Sequence, residues 1–130
     1  MADMSNFLEN ALLNATLNAT TYTAPATVYV SLWTSDPTDA GSGTEVSGGS
    51  FARTAVSFAT ASGTSGNVLN DADVTFPTAT ASWGVVGWIG INDAATSGNL
   101  LYHTALDTSK TIDSGDIFKI STGNLSVTLA

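Results

Sequence analysis

His103 is the only histidine in the chain, and so the one side chain that ordinarily titrates near neutral pH; it lies inside LLYHTAL, a run with strand character. A nucleophilic triad would need a hydroxyl and a carboxylate to converge on it, but Ser and Thr are so frequent here that a compositional match selects nothing. A hydrogen-bonded strand histidine on an outer face is the simpler account. Asp71 and Asp73 stand at i and i+2, on one face of an extended segment, the least that paired acid and base work on a glycosidic bond requires. No sugar-pocket pattern accompanies them. The other acids of the β region fall in the Gly-rich stretch 34–50 (Asp36, Asp39, Glu45) and at turns (Asp93, Asp107, Asp113, Asp116), where Asp ordinarily bonds its own backbone. None of these segments follows the D-x-[DN]-x-[DN]-G pattern of a calcium loop. Gly41 to Gly49 lacks the Lys and the following helix of a phosphate-binding loop. No catalytic residue, cofactor or metal is expected.

Trp33, Trp83 and Trp88 could form a carbohydrate platform or an interface, because large amphipathic rings dominate contact energetics wherever they stay exposed. Core packing is the simpler expectation for Trp88. Trp33, at the end of a strand and just before a flexible stretch, is expected near a rim. Arg53, Lys110 and Lys119 are the only cations. They could set register at subunit contacts, or form ordinary surface pairs worth no more than about 1 kcal/mol.

Composition narrows the function classes further. Eleven acids against three cations give 130 residues a formal charge of −8, which argues against nucleic acid and anionic lipid as partners. Cysteine is absent, which excludes disulfides, thiolate catalysis and the usual zinc ligand sets. No apolar window is long enough to span a membrane, and residues 1–20 lack the basic start and apolar run of a secretion leader. The sequons at Asn14 and Asn18 are read as coincidence. Charged residues are 11% of the chain against roughly 25% in ordinary soluble domains, the composition of a surface covered by neighbours.

The elements that must position these residues follow from periodicity. Met4, Leu8, Ala11, Leu12 and Ala15 share one face at 3.6 residues per turn, which predicts a short helix with Asn6 as N-cap and Glu9 completing a capping box. Such a helix is marginal alone, so its stripe must pack on this domain or on another subunit. From Thr20 the chemistry turns to Thr, Val, Gly and aromatics, and period-two runs predict strands at 27–33, 51–59, 72–76, 83–91, 100–106, 110–112, 117–120 and 125–129. In 51–59 the core face is assigned to Ala52, Thr54, Val56 and Phe58. In 83–91 the two faces carry Val85, Ile89 and Ile91, and Val86 and Trp88. Turn signals such as Ser65-Gly66-Asn67 and Ser97-Gly98-Asn99 separate the runs at intervals suited to a sandwich. The expected fold is therefore mainly β, an antiparallel β-sandwich of jelly-roll or immunoglobulin-like type (20–130), preceded by an N-terminal helix or arm (1–19). Its one long loop, 34–50, is expected to be an arm that touches a neighbour.

The strings MSNFLENALLN, TSDPTD, GTEVSGGSFAR and TSKTIDSGD, with the closing LSVTL, resemble a family of small tailed-bacteriophage virion proteins commonly described as tail fibre proteins. The resemblance runs from Met4 to Leu129 and implies a non-enzymatic structural protein of the virion. Low charge, an orphan helix and a Gly-rich loop favour a capsid decoration or cement subunit on the head exterior. It would bind the major capsid protein or other virion proteins and form a homo-oligomer, a trimer foremost. A tail fibre, tip or adaptor component is the alternative. The expected contact residues are Phe7, Leu8, Leu12 and Trp33, with Asp36, Asp39 and Glu45 of the loop.

Overall fold

A computed structural model describes residues 2–63 and 66–129. In chain order the elements are β1 (Asp3–Met4), α1 (Asn6–Leu17), β2 (Val28–Trp33), β3 (Thr54–Val56), β4 (Asn67–Leu69), β5 (Val74–Thr75), β6 (Gly84–Asn92), β7 (Leu100–Ile112), β8 (Lys119–Ile120) and β9 (Ser126–Thr128). One antiparallel sheet runs β1-β7-β6-β2-β3, and two short ladders, β4-β9 and β5-β8, cover one of its faces. The fold is mainly β with one N-terminal helix, as expected. Its second layer is built from these two ladders rather than from one continuous sheet. Of the Ser65-Gly66-Asn67 turn, Ser65 lies outside the described residues, while Asn67 opens β4.

The core lies between the layers. Val30, Leu32, Val56, Val86, Ile89, Ile91 and Ile112 of the sheet meet Val74, Phe76, Phe118, Ile120, Leu125 and Val127 of the ladders and their flanks. An aromatic row closes one end. Phe51 stacks on Phe76 at 6.1 Å and meets Trp83 edge-on at 5.3 Å, and Phe76 meets Phe118 edge-on at 5.6 Å. The Trp83 indole N–H donates to the Gly49 carbonyl at 2.9 Å, which satisfies its polar end.

β6 departs from simple alternation. Val86 is fully buried and Val85 is 52% exposed, the reverse of the expected grouping with Ile89 and Ile91. Val86 pairs with Lys110 and Trp88 with Ala105, so Leu106, Asp107, Thr108 and Ser109 of β7 stand opposite Gly87 alone. This irregularity shifts the phase by one residue, which returns Ile89 and Ile91 to the core face and turns Trp88 to the other. Trp88, expected in the core, is half-buried on that other face. The same excursion joins the expected strands 100–106 and 110–112 into the single strand β7. The expected strand 51–59 contracts to Thr54–Val56: Val56 is buried, Phe58 half-buried and Ala52 exposed, while Phe51 turns into the aromatic row.

The helix starts one residue earlier than the capping-box pattern indicated. Ser5, not Asn6, is the N-cap: its Oγ accepts from the Leu8 N–H at 3.2 Å and its hydroxyl donates to the Leu100 carbonyl, while its N–H donates to the Leu101 carbonyl at 2.8 Å. Ser5 was the better cap because it can bond the helix and β7 at once. The short strand β1 adds to the β7 edge, with Asp3 opposite His103 and Met4 opposite Tyr102. Leu8 is the buried residue of α1; Phe7, Leu13 and Leu17 face outward.

Candidate docking cleft

The face of the sheet away from the core carries Ser31 and Trp33 of β2, Gly90 and Asn92 of β6, and His103 of β7. Three non-strand segments cover it: the start of α1, the loop 34–50 and the turn 93–99. Where they meet they leave a cleft of about 400 Å³, lined among others by Asn6, Phe7, Trp33, Asp39, Glu45, Arg53, Asn92 and Asn99.

Its floor is a buried polar chain. The Trp33 indole N–H donates to Ser31 Oγ at 2.8 Å, and the Ser31 hydroxyl donates to Asn92 Oδ1 at 2.6 Å. Indole is a donor only, so the one Ser31 proton must go to Asn92, which fixes the orientation of that amide. Gly90 makes room for the chain: a Cβ there would lie 2.7 Å from Leu100 Cδ1, 2.8 Å from Ser31 Oγ and 2.9 Å from Trp33 Nε1.

One wall is held by Arg53. Its guanidinium grips both Glu45 oxygens, at 2.7 and 2.8 Å, and its Nη1 donates to the carbonyls of Ala94 at 3.0 Å and Ser97 at 2.8 Å. The fork thereby fastens the 34–50 loop to the 93–99 turn. Arg53 is not a surface pair; its side chain is 11% exposed. The turn itself is tied by Asp93, whose two oxygens accept from the Asn99 backbone and side-chain amides at 2.7 and 3.0 Å.

The opposite wall joins the loop to the helix and to β7. His103 Nε2 lies 2.8 Å from Asp39 Oδ1, and the Asn6 N–H donates to the Asp39 carbonyl at 2.9 Å. Asp36 stands farther off, 3.9 Å from His103 Nδ1. His103 is on the outer face as expected, but the loop buries it to 7% exposure. The loop is a fitted cover for this face: Thr34 and Val46 bond back to Thr44 and Leu32, Val46 and Pro37 are buried, and any Cβ at Gly43 would strike the Asp36 carbonyl at 2.4 Å.

Of the expected contact residues, Phe7, Trp33, Asp39 and Glu45 converge on this cleft. Trp33, expected at a rim, is 5% exposed, because loop and turn close over it. Leu8 is buried beneath the helix, Leu12 is half-buried on the same stripe, and Asp36 is exposed outside the cleft. Asn92 and Arg53 went unrecognised as parts of one site. Asp93 and the run Ser97-Gly98-Asn99 were visible only as turn signals.

Asp71 and Asp73 are engaged in structural bonds. Asp71 accepts from the Ser57 hydroxyl, and Asp73 Oδ1 accepts from the Thr122 N–H at 2.8 Å and hydroxyl at 2.9 Å while its other oxygen lies 3.3 Å from Lys119 Nζ. The Thr122 backbone bond, then its hydroxyl and Lys119, hold the Asp73 carboxyl below its ordinary range. Among the described residues no group of His, Asp and Glu is arranged to hold a metal ion, and no helix is long and apolar enough to cross a membrane.

The family model for the podophage GP4 fiber I protein gp80 matches residues 3–128. The chain belongs to that family. Membership in the gp80 fibre family agrees with the resemblance carried by TSDPTD, GTEVSGGSFAR and TSKTIDSGD, and makes the chain a structural protein of a phage virion. No curated protein matches it.

Proposed function

We propose that this chain is a tail fibre component whose work is mechanical: it grips a neighbouring virion protein through the outward face of α1 and the adjoining rim of the 34–50 loop. The family match over residues 3–128 carries this reading, and it favours the fibre assignment over the head-decoration assignment that low charge alone suggested. The surface supports it too. Leu13 and Leu17 expose apolar side chains along a helix that bears one charge, Glu9, and whose first residue bonds the loop through Asp39. Burying such a patch stabilises an interface by about 25 cal/mol per Å² of apolar area before the costs of association.

Removal of residues 1–19 is a poor test, because Ala2 sits in the core and β1 and Ser5 are bonded into β7. Leu13→Asp with Leu17→Asp is the better variant, since both positions are exposed. The expected result is an unchanged melting temperature for the subunit and loss of its incorporation into particles. Normal incorporation would overturn the interface. Gold-labelled protein seen over the whole shell, rather than confined to the tail vertex, would overturn the fibre assignment in favour of decoration.

A further inference from the structure

The floor of the cleft holds a polar group with an unused bonding direction. Asn92 is 3% exposed and its Oδ1 is committed to Ser31, while its Nδ2 has no partner among the described residues and opens into the cleft. Because the Trp33–Ser31 bond fixes the amide, this donor is aimed before any ligand arrives. Asp39 and Glu45 line the same cleft, their carboxylates held by His103 and Arg53. The Asn6 side-chain amide, without a hydrogen-bond partner among the described residues, and the 42% exposed Phe7 ring also line the cleft.

We infer that the cleft binds a neutral saccharide, one or two rings in size. A buried donor with its direction set in advance, in a cleft also lined by carboxylates that can accept, matches neighbouring sugar hydroxyls, each of which both donates and accepts. The Phe7 ring offers a flat apolar surface to the C–H face of a pyranose. A volume of about 400 Å³ is in the range of small-ligand sites. Glu45 is neutralised by Arg53, which leaves Asp39, on a chain of net charge −8, to disfavour anionic sugars. A peptide strand is the poorer occupant: the β7 edge beside the cleft is taken by β1, and the Ala94 and Ser97 carbonyls at the rim already accept from Arg53. This inference stands independently of where in the particle the subunit sits.

The test is an amide NMR titration of the full chain with D-glucose, D-galactose, N-acetylglucosamine, D-glucuronate and triglycine. At least one neutral sugar is expected to shift the Asn92 side-chain NH₂ signals and the Gly98 and Asn99 amides saturably, with glucuronate about tenfold weaker or more. Asn92→Asp removes the donor and is expected to abolish these shifts. Phe7→Ala, at an exposed position that leaves the fold intact, is expected to weaken binding about three- to tenfold. The inference is overturned if no neutral sugar moves these signals, if glucuronate binds as well as its neutral counterpart, if Phe7→Ala leaves affinity unchanged, or if triglycine alone is bound.

Discussion

Ser31 shows how far one small side chain can organise a face. It accepts from Trp33 and donates to Asn92 within a region closed to water, so its replacement strands a donor and an acceptor together. Ser31→Ala is expected to cost about 2 to 4 kcal/mol, read as a lowered urea midpoint at unchanged slope. Gly90→Ala should cost about 1 to 3 kcal/mol in the same assay, because the added methyl overlaps Trp33, Ser31 and Leu100. Arg53→Lys keeps the charge and loses the fork, and should cost on the order of 2 kcal/mol while loosening the 93–99 turn, seen as faster amide exchange at Ser97 and Gly98. Little of this was legible in the sequence. Glu45 lies eight positions from Arg53, but Ala94 and Ser97 lie 41 and 44 away, and no local spacing announces a partner at that range.

At the scale of elements, the readable parts were those governed by one periodicity. β2 falls where the period-two pattern puts it, to within a residue, and α1 carries Leu8 to Ala15 of the 3.6-residue pattern, but Met4, assigned to the same helical face, lies in β1. β6 was located but its faces were not, because alternation assumes an unbroken ladder, and the four β7 residues opposite Gly87 break it. The run Asp107-Thr108-Ser109 looks like a turn in sequence and is an excursion within a strand. β1 and β4 are too short for any pattern to register; pairing partners define them. The loop 34–50 was rightly found irregular, but Gly and Ser there permit close bonding to the sheet rather than mobility. Ser5→Ala tests the join between α1 and β7. Loss of the cap costs about 1 kcal/mol, and the Leu100 carbonyl loses its donor, so the N-terminal segment should exchange faster than the sheet.

For the whole molecule, alkaline stability reports on packing around Tyr102. Burial raises its phenol above the ordinary 10.0, with Tyr22 adding to the effect. A raised phenol keeps its proton better folded than unfolded, so its contribution is complete below about pH 10 and is lost as pH rises through the folded value. The thermal midpoint should hold up to about pH 10 and then fall, and Tyr102→Phe should flatten that fall. A stability decline starting well below pH 10 would assign alkaline sensitivity elsewhere.

The interior position of Arg53 has a consequence for how copies of this subunit approach one another. With Arg53 inside and Lys119 set against Asp73, Lys110 is the one cation among the described residues without an anionic partner. Almost the entire outer field is therefore of one sign. Two such particles in dilute buffer, where the Debye length is about 30 Å at 0.01 M, repel before their surfaces touch; at 0.15 M that reach shrinks to about 8 Å. Ionic strength thus acts as a throttle on crowding, keeping unassembled subunits dispersed until counterions or a complementary basic surface cancel the mutual repulsion.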